Sequence, residues 1–198
     1  MLITIEQSNK IDAIIFVLVG VLLFQKANNN PKTIEELNAD KIESLYNHLD
    51  DKKLISDVKN QFHLTDQQIA DSLPFIPKKF ERFNDLWAIL PALKQHYKLA
   101  ILNNGNAVAW DYWKKDFDFR LFDEFINSAQ MGVKKPDPKI YLLTCNKLGV
   151  NPTRCLFMDN NKENIETAEK LGMKVLWWNK VNSKEANLKL FLNLLSTL

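Results

Sequence analysis

The sequence predicts an α/β protein, a parallel sheet flanked by helices with an all-helical segment inserted after the first strand. Three observations predict it. Short apolar runs of strand length recur at residues 14–24, 99–102, 156–158 and 175–178, with helical periodicity between them. The first run, IIFVLVGVLLF, carries no charge and is interrupted only by Gly20, the composition of a strand buried on both faces. Between the first and second runs lies a segment too long for an ordinary parallel crossover, with apolar residues three and four apart.

Taken in order, residues 2–5 can form a short edge strand before strand one. Strand one itself is too short to span a bilayer, which takes about 20 apolar residues. A signal peptide is opposed by Glu6 beside Lys10 and by the lack of a small-residue cleavage site after Phe24. Residues 27–31, with three consecutive Asn and Pro31, break the chain. Ile42, Leu45 and Leu49 then fall at helical spacing, as do Leu54, Val58 and Phe62. Thr65 with Gln68 reads as a capping box for a third helix through Ile69 and Leu73, closed by Pro74 and Pro77.

Pro91 reads as the first-turn residue of a short helix through Leu93 and Tyr97, leading into the second strand at 99–102. That strand ends in Asn103-Asn104-Gly105-Asn106, a turn at the carboxyl edge where open parallel sheets place ligands. The helix after it carries Trp110 and Trp113, read as packing residues. Residues 122–128 form the third strand, and Lys135-Pro136-Asp137-Pro138 opens a helix through Ile140, Tyr141, Thr144 and Leu148. The fourth strand is 156–158 with a helix from 163 to 171, and the fifth is 175–178. Ser183 caps a last amphipathic helix bearing Leu188, Phe191, Leu194 and Leu195.

With 198 residues the chain suits one domain with an insertion. Apolar content of 46% and charged content of 25% are those of an ordinary globular protein. A net charge of +2, with basic and acidic residues interleaved, gives no basis for nucleic-acid or membrane binding. Cys145 and Cys155 match no metal or redox spacing and read as reduced core residues of a cytoplasmic protein. His48, His63 and His96 are scattered and are not read as metal ligands.

Taken with the 101–105 turn, the Lys135-Pro136-Asp137-Pro138 stretch and Met158-Asp159-Asn160, the first run resembles the opening motif of the haloacid dehalogenase (HAD) superfamily of hydrolases. The resemblance covers nearly the whole chain outside the insertion and is strongest from 122 to 173. It implies a HAD-like, Rossmann-like core of residues 1–25 and 86–198 and a helical cap of residues 26–85. Val17-Leu18-Val19-Gly20-Val21-Leu22 stands where the family has Asp-x-Asp-Gly-x-Leu, its first Asp the nucleophile and its second the general acid/base. Gly20 and Leu22 remain, and Val17 and Val19 replace both carboxylates.

The resemblance further implies ligand or phosphate contacts at Asn103, Asn104 and Lys135. Asn103 stands at the family's Ser or Thr, and Lys135 at the lysine that holds the phosphoryl group. Asp159, Asn160 and Asn164 are the remnant of the family's acidic motif, which helps to bind magnesium.

A valine cannot attack phosphorus or carbon, nor protonate a leaving group. Uncatalysed phosphate-monoester hydrolysis is so slow that enzymes supply up to about 10²¹-fold, and anion contacts alone cannot replace a nucleophile. With Asp159 as the one surviving acid, no metal and no cofactor are expected, since its charge balances that of Lys135. Both valines suit a buried strand. The expectation is therefore a HAD-like protein that has lost phosphotransfer and binds a small anionic metabolite or a protein partner. The alternative is an active hydrolase of non-standard mechanism, with Mg2+ and with Asp159 activating water. The apolar residues of the insertion could serve a homodimer as readily as a lid.

Overall fold

Burial of the first strand on both faces decides the architecture. In the computed structural model, which describes residues 10–27, 30–45 and 48–198, β1 is Ala13–Phe16 and is buried at every position. It lies at the centre of a parallel sheet with β4 (Lys98–Asn103), β5 (Glu124–Asn127), β6 (Cys155–Asp159) and β7 (Lys174–Trp177), in the order β5-β4-β1-β6-β7.

Successive residues of each strand serve opposite faces. Ile14, Phe16, Leu99, Ile101, Leu156 and Met158 pack with Leu86, Leu90 and Leu93 of α5 (Asn84–Lys94) and Phe191 of α10 (Lys184–Leu195). Ala13, Ile15, Ala100, Leu102 and Phe157 pack on the other face against α8 (Pro138–Leu148) and α9 (Lys162–Lys170). The Cys145 and Cys155 thiols are both buried and free, with their sulfurs 3.7 Å apart.

The apolar run of 14–24 is not one strand. The chain turns after Phe16, where the Leu22 and Leu23 amides both donate to the Leu18 carbonyl and Gly20 takes φ 97°. Apolar character persists through the turn because Val17, Leu18, Val21 and Leu22 pack into the core cluster; Val19, 38% exposed, breaks the pattern. A second strand, β2 (Leu23–Gln25), then pairs antiparallel with β3 (Phe80–Arg82), and the hairpin brackets the insertion.

The insertion holds α1 (Ile34–Ser44), α2 (Asp51–Phe62), α3 (Asp66–Ser72) and α4 (Phe75–Lys78). Thr33 and Thr65 form capping boxes with Glu36 and Gln68, and Asp50 caps α2. Ile42, Leu54, Val58 and Ile69 make a separate apolar cluster that also takes in Ala109 of the core. Residues 80–85 of the predicted cap segment form β3 and open α5.

Helical spacing overreached at Leu49, which lies in the connection between α1 and α2. Pro91 is inside α5 rather than at a helix start, because Leu86, Trp87, Leu90 and Leu93 bury a continuous stripe and packing outweighs the lost amide donor. The third strand is shorter than 122–128, since Ser128 already opens α7 (Ser128–Met131). The predicted edge strand at 2–5 lies outside the described residues.

Candidate functional site

The loops leaving β1, β4 and β6 enclose a cleft of about 630 Å³ at the carboxyl edge of the sheet. Lys135 and Asp159 form its buried centre. The Lys135 ammonium donates to the Leu102 carbonyl at 2.7 Å and to Asp159 Oδ2 at 2.7 Å, and lies 5.6 Å from the Phe157 ring centroid. Each side chain of the pair is 1% exposed. Burial pushes the Lys135 ammonium below the ordinary lysine range, against the opposing pull of Asp159.

Asp159 ends β6, so strand pairing with β1 and β7 fixes its direction. Its Oδ2 also accepts from Asn164 Nδ2 at 3.0 Å, and its Oδ1 accepts from the Asn161 amide at 2.8 Å. Asn161 in turn caps α9, its side chain accepting from the Glu163 amide. Behind this network the Tyr141 hydroxyl donates to the Asn164 carbonyl at 3.0 Å, and burial raises its pKa further.

Asn104 holds Lys135 from the other side. Its side chain accepts from the Lys135 amide at 2.9 Å and donates to the Lys135 carbonyl at 2.8 Å. The Gly105 amide donates to Ser128 Oγ at 3.0 Å, and Asn127 Nδ2 donates to the Asn106 carbonyl at 3.0 Å. The turn after β4 is therefore tied to both neighbouring segments.

Val17 stands at the first position beyond β1. Its amide donates to the Met158 carbonyl at 2.9 Å, and the residue, 7% exposed and part of the core cluster, is among those that line the cleft. Val19 also lines the cleft, but it is not buried as the sequence led one to expect. Gly20 lies beneath Asn160: a Cβ at Gly20 would meet Asn160 Nδ2 at 1.8 Å. The loop is fastened by Trp87, whose indole donates to the Leu22 carbonyl at 2.8 Å.

This donor set does not fit magnesium, which takes one or two carboxylates with free oxygen lone pairs. Val17 and Val19 offer no oxygen in their side chains, and both Asp159 oxygens already accept protein hydrogen bonds. Among the described residues no three His, Cys, Asp or Glu side chains converge.

Asn103, Asn104, Lys135, Asp159, Asn160 and Asn164 all line the one cleft, with Val17 and Val19. Asn106 of the predicted ligand-placing turn lines it as well; sequence reasoning missed Asn161, Glu43 and Lys180, which line it too. Asn161 was findable, since an Asn just before a helical run is a cap signal. Glu43 comes from α1 and carried no local signal. Trp110 and Trp113, read as packing, do pack, on Phe125 and Phe117 among others, yet both also line the cleft.

A family model described as haloacid dehalogenase-like hydrolase matches residues 28–172. The chain belongs to the haloacid dehalogenase-like hydrolase family. The match begins beyond the loop that holds Val17 and Val19. Among curated HAD relatives, (S)-2-haloacid dehalogenase 4A of Burkholderia cepacia is 32% identical over 121 residues, 58% of this chain and 51% of that protein. Glyceraldehyde 3-phosphate phosphatase of Methanopyrus kandleri is 31% identical over 91 residues, 43% of this chain and 39% of that one. The chain thus spans about half, or less, of the length of these relatives.

In fold, it is similar to a HAD-family enzyme of Bacteroides thetaiotaomicron solved with magnesium and inorganic phosphate. The TM-score is 0.66 at 17% identity, covering 85% of this chain and 94% of that one. A predicted HAD-like hydrolase of Porphyromonas gingivalis gives a TM-score of 0.66 at 21% identity, covering 92% and 98%. Among the described residues no helix is long and apolar enough to cross a membrane.

Proposed function

We propose that this HAD-like chain binds a small molecule in its cleft and carries out neither phosphoryl transfer nor dehalogenation. One observation carries the reading: the residue just beyond the carboxyl end of β1, among those that line the cleft, is valine, which has no lone pair with which to attack. The occupied state of Asp159 supports it, because a carboxylate already accepting from Lys135, Asn161 and Asn164 is poorly placed to activate water. The relatives are named as dehalogenases and phosphatases, but a shared fold does not carry the chemistry with it. A small ligand is favoured over a protein partner because the space is a cleft of about 630 Å³, within the roughly 300–1,000 Å³ of small-molecule sites.

The test is an assay with p-nitrophenyl phosphate and with 2-haloacids, each with and without magnesium. No turnover above a protein-free control is expected. Turnover that disappears in Asp159→Ala would overturn the reading.

A further inference from the structure

Cys145 and Cys155 lie apart from the cleft, and neither lines it. Cys145 is one of the buried residues of α8, and Cys155 opens β6, where it pairs in register with Ala13 of the central strand. The connector between them is short and fixed. α8 ends at Gly149, the Val150 amide donates to the Cys145 carbonyl at 3.0 Å, and Asn151 caps a single turn at Pro152–Arg154. Helix and strand are thereby held so that the two side chains meet in one apolar cluster. A single buried cysteine behaves as a small apolar residue. Two with their sulfurs 3.7 Å apart differ, because a bond between them needs only about 1.7 Å of further approach.

The pair lies one layer below the surface. The Cys155 thiol has two acceptors in reach, the Cys145 sulfur and, at 3.4 Å, the carbonyl of Asn151, which is itself exposed. Asn146 and Lys147, next along α8 from Cys145, are exposed too. Local opening of the 149–154 connector is enough to admit a small oxidant. The two thiols are not equivalent. The hydrogen bond from Cys155 holds the Cys145 thiol below the ordinary cysteine range, against the effect of burial, whereas the same bond and burial push the Cys155 thiol up. Cys145 is therefore the sulfur that ionises first.

We propose that Cys145 and Cys155 form a modification site for small hydroperoxides, which convert the pair into a reversible disulfide within the chain, stapling the end of α8 to the start of β6. The Cys145 thiolate attacks one peroxide oxygen and breaks the O–O bond, giving the sulfenic acid, while the other oxygen leaves as hydroxide and takes up the thiol's proton as water. The Cys155 sulfur then attacks the Cys145 sulfur, and the sulfenic oxygen departs with the Cys155 proton as a second water. Each sulfur is oxidised by one electron and the peroxide is reduced to water. A dithiol reverses the change. The proposal is independent of what the cleft binds.

The test treats the reduced full chain with hydrogen peroxide, then unfolds it in the presence of N-ethylmaleimide and measures intact and peptide masses. Loss of both alkylatable thiols is expected, with a mass lower by two hydrogen atoms, a crosslinked peptide joining Cys145 to Cys155 in a monomeric chain, and recovery with dithiothreitol. The melting temperature of the oxidised chain is expected to rise by about 5–10 °C. In Cys155→Ala, dimedone is expected to label Cys145 after peroxide treatment; the measurements on the unaltered chain stand whether or not this variant folds. Thiols that stay alkylatable, a gain of oxygen without a crosslink, or a disulfide between two chains overturns the site. A crosslink that leaves the melting temperature unchanged or lower overturns the staple.

Discussion

A buried ion pair adds little net stability when both partners are present, but removal of one strands the other in a low dielectric. Lys135 and Asp159, each 1% exposed, are in that position. Lys135→Met is expected to destabilise the protein by about 3–5 kcal/mol, and Lys135→Met with Asp159→Leu by clearly less than the single variant. Urea denaturation of the two reads this directly, and a double variant no more stable than the single would count against the pairing. At Val17 the change runs the other way. Val17→Asp buries a second carboxylate in a cleft whose central lysine is already engaged. It also forfeits roughly 1.5–3 kcal/mol of apolar burial. A melting temperature lower by about 4–10 °C is expected; an unchanged value would refute a dry, metal-free site.

Among the elements, the loop between β1 and β2 depends on one glycine. Gly20 combines φ 97° with a side-chain amide where its Cβ would stand. Gly20→Ala should cost about 1–3 kcal/mol. Adding Asn160→Gly should recover part of this, since it removes the collision and leaves the backbone strain. The start of β4 depends on Asp123, which accepts from the Leu99 amide at 2.8 Å and pairs with Lys94 of α5. Burial alone would raise its pKa, but these bonds outweigh that and hold it below the usual carboxylate range. As pH falls below about 4 the unfolded chain takes up the proton first, so this contribution is full above that pH and fades below it. Asp123→Asn should flatten the acid limb of stability between pH 5 and pH 3, measured by urea midpoints.

The elements that sequence periodicity located well were those in which one face is buried and the ends carry caps. Thr65 with Gln68, Ser183 before α10 and Asp137 before α8 all sit at the termini they announce. Periodicity misled where burial had another cause. Val17, Leu18, Val21 and Leu22 are apolar because they pack into the core cluster with Leu86, Trp87 and Leu90, so the run reads as strand although it turns. Pro91 is tolerated inside α5 because four large side chains hold that helix on the sheet.

For the whole molecule, the site was legible as far as it depends on strand ends. Asn103 closes β4, Asp159 closes β6 and Val17 follows β1, so a parallel order β4-β1-β6 brings all three to one edge. What the sequence hid was the far wall. Glu43 of α1 and Ile76 of α4 reach the cleft only through the placement of the inserted helices, and no local pattern encodes that placement.

The hairpin of β2 and β3 sets how those helices are attached. The chain enters the insertion after Gln25 and returns before Phe80, two residues that pair across the ladder, and the Lys26 amide donates to the Lys79 carbonyl at 2.8 Å. The tether is thus a two-stranded ribbon rather than a pair of independent strings. A ribbon flexes easily out of its own plane and resists shear within it, because shear would break the rungs. A swing of the inserted helices about that ribbon would carry Glu43 and Ile76 together, and it would have to break the bond of the Ala107 amide to Asp51 and the packing on Ala109.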